Sequence, residues 1–130
     1  MLQELFMGMH GALPSFVEVA EEGKNIRIVR LKGPIDMLTI PGIEKFVRVA
    51  RRKKRISKKN ILIDFKNVTH VDSSTIAMLL EAISELKHEK YRLILINLTK
   101  QLKSLLEILK IERQFYICDS EEKAIQELTI

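Results

Sequence analysis

Side chains that could carry chemistry are concentrated in one run, Thr69-His70-Val71-Asp72-Ser73-Ser74-Thr75-Ile76. The run follows a predicted strand that ends at Phe65, and it opens a predicted helix over Ile76–Leu86. A carboxylate and several hydroxyls therefore lie at a helix N-terminus, at the edge of a sheet where α/β proteins usually place functional residues. Ser, Thr and Asp are also the preferred helix caps, although one cap does not require four such residues. The residue types alone leave a helix cap and a functional loop both open.

A phosphate on a serine of this run would act on binding more than on folding. It would add about −1.5 to −2 charges at neutral pH. The N–H groups and the dipole of the helix would stabilise that charge, whereas neighbouring Asp72 would oppose it. Because the two effects partly offset each other, we expect a modified chain to stay folded and a partner to sense the change.

Enzyme and metal chemistry are disfavoured by what the sequence lacks. It has five glycines and neither a phosphate-cradling loop nor a dinucleotide fingerprint. His10, His70 and His88 are scattered, without the spacing of metal ligands. A triad can be written from Ser73, His70 and Asp72, but no nucleophile elbow accompanies it. We therefore predict no catalytic residues, no metal and no bound cofactor.

The positive charge of the chain is local. The net charge is +5 and the isoelectric point about 9.4. Seven of the 22 basic residues lie in the segment Arg51–Lys59, so the remainder is slightly acidic. Cations near a helix C-terminus are favoured by its dipole, which gives this segment a structural explanation. Nucleic-acid binding through it is disfavoured because no aromatic residue interleaves the run.

Hydrophobic periodicity predicts an α/β fold of order ββαβαβαβα. Two alternating strands, Phe16–Ala20 and Ile26–Leu31, form a hairpin that Gly33-Pro34 terminates. A helix begins near Pro41, and buried strands and helices then alternate as far as a last helix that Asp119 and Glu122 would cap. Strands separated by helices pair in parallel through right-handed crossovers. The sequence thus predicts one mostly parallel mixed sheet with helices packed on it.

The length of 130 residues fits a single domain, which we place at residues 15–130 after an N-terminal extension of residues 1–14. A single cysteine, Cys118, indicates a reducing compartment, and we expect the cytoplasm. No apolar run approaches the ~20 residues that cross a bilayer, so no membrane association is expected.

Two motifs in this order of elements resemble the STAS domain family. The run ILIDFKNVTHVDSSTIAMLLEAISEL is similar to that family's strand–loop–helix signature, and Leu31–Asp36 resembles its L-x-G-x-[LI]-D element. The similarity extends from about Phe16 to Leu128. The best-known soluble members are bacterial anti-sigma-factor antagonists, which are not enzymes.

The resemblance implies a phosphorylation-controlled partner switch. In that family an anti-sigma factor doubles as a serine kinase and phosphorylates the first serine after the motif aspartate, here Ser73. The unphosphorylated antagonist binds the anti-sigma factor and frees a sigma factor, and a serine/threonine phosphatase reverses the modification. ATP and magnesium belong to the kinase. The residues expected to meet the partner are Asp36, Asp72, Ser73, Ser74, Thr75 and Ile76.

One position departs from the family pattern, because Thr75 stands where glycine usually follows the two serines. Its β-branched side chain adds bulk beside the expected docking surface, and its hydroxyl is an alternative phosphate acceptor. A second hypothesis is a docking subunit of a larger transport or sensory complex, in which the serine loop is a fixed contact without phosphorylation.

Overall fold

A computed structural model describes residues 14–44, 60–88 and 91–129. Five strands form one sheet in the order β1-β2-β3-β4-β5, of which β1 and β2 are antiparallel and the other pairs are parallel. The strands are β1 (Val17–Glu22), β2 (Ile26–Ile35), β3 (Asn60–Val71), β4 (Leu93–Ile96) and β5 (Tyr116–Cys118). The predicted fold class, a mostly parallel mixed sheet that begins with a hairpin, is confirmed.

Helices follow the strands in the predicted alternation. Helix α1 begins at residue 40 and is described as far as residue 44. It is followed by α2 (Ser73–His88), α3 (Lys100–Ile108) and α4 (Glu121–Leu128), with a short 3-10 helix, Glu112–Gln114, before β5. The expected cap at Asp119 is wrong by one residue, because the Ser120 side chain accepts the N–H of Lys123.

The hydrophobic core divides into two layers, one on each face of the sheet. The larger layer joins α1, α2 and α3 to the odd-numbered positions of β2 and β4, among them Val29, Leu31 and Leu95. The smaller layer packs Ala124 and Leu128 of α4 against the opposite face. Because β4 is covered on both faces, all four of its residues are buried, as its continuous apolar run predicts.

Two strands run further than the sequence suggested. Gly33 and Pro34 do not end β2, because Gly33 adopts a positive φ of 80° within an irregular stretch and the strand resumes to Ile35. Bulges tolerate both glycine and proline, which explains the wrong prediction. Strand β3 likewise continues past Phe65 to Val71, so the predicted loop begins only at Asp72.

Some predictions concern residues outside the described ranges. The N-terminal extension falls there except for Pro14, and the basic segment Arg51–Lys59 falls there entirely. The domain boundary and the assessment of nucleic-acid binding therefore stay predictions. No helix among residues 14–44, 60–88 and 91–129 has the length and apolar character needed to cross a membrane.

Candidate functional site

The serine run lies at the tip of a two-stranded ribbon. Strand β4 pairs with β3 only as far as Asp64, whereas β2 and β3 stay paired up to the Ile35–Val71 pair. The carboxyl ends of β2 and β3 therefore project past the rest of the sheet. Asp36 and Asp72 follow directly on the paired residues Ile35 and Val71, so they leave neighbouring strands, which lie about 4.8 Å apart.

Asp72 organises the start of α2. Its Oδ1 accepts the N–H of Ser74 at 2.9 Å and also the Ser74 hydroxyl, and its carbonyl accepts the N–H of Thr75 at 3.0 Å. The hydrogen bond from the Ser74 hydroxyl, supported by the backbone N–H bonds, lowers the pKa of Asp72 from its ordinary value of 3.8. Asp72 thus remains a carboxylate at neutral pH, and the Ser74 hydroxyl is held in a hydrogen bond to it.

Ser73 differs from Ser74 and Thr75 because its side chain is exposed and its hydroxyl has no hydrogen-bond partner among the described residues. It is the first residue of α2, and its side chain faces solvent. Within the part of the chain that the structure describes, its hydroxyl makes no hydrogen bond, whereas those of Ser74 and Thr75 are both bonded. Among Ser73, Ser74 and Thr75, Ser73 is therefore the one whose hydroxyl an approaching reagent reaches without breaking an existing bond.

Thr75 and Ile76 point into the protein. Thr75 is 0% exposed and its Oγ1 donates to the carbonyl of Ile35 at 3.4 Å, which ties α2 to the end of β2. Ile76 is buried in the larger core layer. The bulk of Thr75 therefore lies inside the domain, not beside the exposed surface as expected, and modification of its hydroxyl would require it to leave this position.

Asp36 shapes the second loop of the ribbon tip. Its Oδ1 accepts the N–H groups of Leu38 at 2.9 Å and Thr39 at 3.2 Å, and the Thr39 hydroxyl accepts the Asp36 N–H at 3.0 Å. This reciprocal arrangement has the bonding of a capping box and introduces α1. It also holds Met37 and Leu38 outward, at 78% and 89% exposed.

Two contributions to this site were not predicted. Met37 and Leu38 belong to no motif in the sequence, and only the pairing of β2 with β3 brings their loop next to the serine run. Gln101, at the start of α3, accepts the N–H of Val71 at 3.0 Å and so secures the last residue of β3. No sequence signal identifies a glutamine 30 residues away as that partner. We call the group Asp36, Met37, Leu38, Asp72 and Ser73 the ribbon-tip surface; its two aspartates are half-buried and its other three residues are exposed.

The ribbon-tip surface offers carboxylates, one hydroxyl and apolar side chains. Across residues 14–44, 60–88 and 91–129, no three His, Cys, Asp or Glu side chains are grouped as they would be around a metal ion. The arrangement is suited to docking and to modification of Ser73.

Comparison with known families assigns the chain to one domain family. The STAS domain model matches residues 19–124, which include both ribbon strands and the serine run. The chain belongs to the STAS domain family. No curated protein sequence matches it.

Solved structures with the same fold include anti-sigma factor antagonists. The antagonist SpoIIAA in its unphosphorylated form aligns with a TM-score of 0.71 at 20% identity, over 87% of this chain and 97% of that one. Bacillus SpoIIAA in its phosphorylated form aligns with a TM-score of 0.69 at 20% identity, over 85% and 97%. An anti-sigma factor antagonist from Mycobacterium paratuberculosis gives a TM-score of 0.72 at 16% identity, over 88% and 93%. At these identities the similarity establishes the shared fold.

Proposed function

We propose that this protein is an anti-sigma-factor antagonist whose binding to an anti-sigma factor with serine kinase activity is controlled by phosphorylation of Ser73. The observation that carries the proposal is the exposed, unbonded Ser73 hydroxyl at the first residue of α2. Membership of the STAS domain family, and a fold shared with both forms of SpoIIAA, support it.

The unmodified ribbon tip has the character of a docking surface. Met37 and Leu38 present apolar side chains to solvent, and a partner that covers them gains their burial. Ser73 lies across the ribbon from them, so a docked partner would also cover its hydroxyl. A phosphate there would place a dianion beside the carboxylates of Asp36 and Asp72, and docking would have to remove it from water. Phosphorylation therefore ends binding through charge.

This chain supplies the acceptor hydroxyl, and the kinase supplies the nucleotide, the magnesium ion and the base. The Ser73 Oγ forms a bond to the γ-phosphorus of ATP as the bond to the departing ADP breaks, and the hydroxyl proton passes to a base of the kinase. The magnesium ion and the nucleotide are held by the kinase. A serine/threonine phosphatase returns the hydroxyl by hydrolysis of the ester.

Ser73 is proposed as the acceptor ahead of Thr75 for a geometric reason. The Thr75 hydroxyl is buried against Ile35, and transfer to it would require the first turn of α2 to open. Transfer to Ser73 needs no such opening, and the modified residue stays at a helix N-terminus where anions are stabilised.

The test begins with the mass of the protein purified from the cells that make it, followed by fragment mapping. We expect a single phosphate on Ser73 under some growth or stress conditions. Incubation of the unmodified protein with an extract of those cells and Mg-ATP should add the same phosphate, and Ser73→Ala should abolish it while the control Ser74→Ala retains it. A chain that stays unmodified in every condition, or a phosphate on Thr75, would contradict the proposal. An unmodified chain would support the docking-subunit hypothesis instead.

The docking surface is tested with a matched pair of exposed apolar residues. Leu38→Ser changes the ribbon tip, and Ile108→Ser changes a residue of similar exposure, 74%, at the far end of α3. Tagged variants are recovered from the native cells, and the co-purified kinase activity is measured as phosphorylation of Ser73 on added wild-type protein. We expect Leu38→Ser and the charge mimic Ser73→Asp to lose this activity and Ile108→Ser to keep it. Equal activity for Leu38→Ser and Ile108→Ser would show that binding lies elsewhere.

A further inference from the structure

A cavity of about 640 Å³ lies at the end of the sheet where β4 and β5 begin, opposite the end that carries Ser73. It is formed where the C-terminal turns of α2 meet the segments that enter β4 and β5. Its volume is within the 300–1,000 Å³ range of small-molecule sites. The ribbon-tip surface includes none of its lining residues, so the proposed switch gives it no role.

One wall of the cavity is apolar. Ile83 and Leu86 line it from α2, Leu93 from β4, and Phe115 from the approach to β5. Leu86, Leu93 and Phe115 belong to the larger core layer and are fixed by its packing, so each presents only a narrow strip of its surface to the cavity. A ligand that enters therefore meets a preformed hydrophobic wall.

Two arginines, Arg92 and Arg113, also line the cavity. Arg92 is positioned by its neighbours, since its Nη2 donates to the carbonyl of Glu127 at 2.7 Å and its Cζ lies 5.7 Å from the centroid of the Tyr116 ring. Arg113 comes from the 3-10 helix and is exposed. Within the described residues neither arginine has a carboxylate partner, and no described acidic residue lines the cavity. The charged side chains among the described lining residues are therefore both positive.

We propose that this cavity binds an amphipathic organic anion, whose apolar body lies against the wall and whose carboxylate or phosphate is held by Arg92 and Arg113. Guanidinium groups form charge-assisted, often bidentate bonds with both headgroups. An apolar body without a headgroup would leave the arginines unused, and an inorganic anion would leave the wall unfilled. The class of ligand follows from the two features together, and it does not depend on modification of Ser73.

The experiment is an NMR titration of the full chain with sodium decanoate, and with decanol and inorganic phosphate as single-feature controls. We expect decanoate to shift the resonances of Ile83, Leu86 and Phe115 with a Kd of about 1 mM or tighter, as its size allows. Decanol and inorganic phosphate should each bind at least about tenfold more weakly, because each lacks one half of the interaction. Decyl phosphate compared with decanoate establishes which headgroup is preferred.

A matched pair of charge variants tests the role of the arginines. Arg113→Gln should weaken decanoate binding about tenfold, the loss of one charge-assisted hydrogen bond. Lys103→Gln removes an exposed positive charge from α3 outside the cavity lining and should leave the Kd unchanged. Both sites are exposed, and circular dichroism verifies folding. Decanol binding as tight as decanoate, no effect of Arg113→Gln, or shifts spread away from the cavity would each overturn the proposal.

Discussion

Replacement of Asp64 by alanine should strongly destabilise the domain, because this carboxylate joins three structural elements at the root of the ribbon. Asp64 is 7% exposed. Its Oδ2 accepts from Arg30 Nη1 at 2.9 Å, and its Oδ1 accepts from Asn97 Nδ2 and from the Lys66 N–H, both at 2.9 Å. Arg30 is the register partner of Asp64 on β2, so the group spans β2, β3 and the turn after β4.

The magnitude follows from the number of bonds and from the partner that remains. Hydrogen bonds to a charged group contribute about 1.5–3 kcal/mol each, and they are not additive when they share one acceptor. Arg30 keeps a second carboxylate, Glu121 at 2.5 Å, and its side chain is 33% exposed, so it is not left as a buried unpaired charge. We therefore expect Asp64→Ala to lower the free energy of unfolding by about 3 kcal/mol and the melting temperature by about 10 °C.

Urea unfolding monitored by far-ultraviolet circular dichroism measures this change. Glu121→Ala removes the other carboxylate of the same arginine, and because Glu121 is 36% exposed we expect a loss of about 0.5 kcal/mol. Asp64→Asn keeps the volume but turns an N–H₂ group towards Arg30 or Asn97, so its loss should fall between the two. A decrease in the free energy of unfolding of less than about 1 kcal/mol for Asp64→Ala, or one no larger than that for Glu121→Ala, would contradict the argument. It would mean that the Asp64 carboxylate is not the main contact that stabilises the base of the ribbon.

Three further predictions concern single groups. Ser74→Ala removes the principal cause of the lowered pKa of Asp72, so an NMR titration of that carboxyl should show its pKa rising towards 3.8. Because the folded pKa is depressed, the stability that Ser74 contributes should be present above pH 3.8 and vanish as the pH falls through the folded pKa of Asp72. Burial, and then the neighbouring carboxylates, raise the pKa of the Cys118 thiol above 9.0, so its alkylation at pH 8 should be slower than that of free cysteine. Thr75→Val keeps the shape of the buried side chain but loses its bond to Ile35, which should cost about 1 kcal/mol in urea unfolding and leave Ser73 modification intact.

The order of the elements and the identity of the family follow from the amino-acid pattern alone. Period-two and helical patterns distinguish strands from helices here because each element buries one defined face or both, as in the continuous apolar run of β4. The serine run and the Leu31–Asp36 element are contiguous in the chain, so a family resemblance is legible without any knowledge of contacts. These patterns and motifs are formed by residues that are close in the chain, so they can be recognised without knowledge of the tertiary contacts.

The amino-acid pattern does not reveal which of the three neighbouring hydroxyls lacks a hydrogen bond or what surrounds each one, because both depend on the packing of the folded chain. Ser73, Ser74 and Thr75 are chemically alike in sequence, yet one is exposed, one is bonded to Asp72 and one is buried under β2. The environment of each hydroxyl depends on where the ribbon ends. The ribbon ends where β2 and β3 stop pairing, and that pairing joins residues far apart in the chain, such as Ile35 and Val71. Local propensity ended both strands too early because glycine, proline and exposed polar residues discourage a strand unless a neighbour pairs with it. The same long-range pairing places the apolar Met37 and Leu38 beside the serine, which no local pattern encodes.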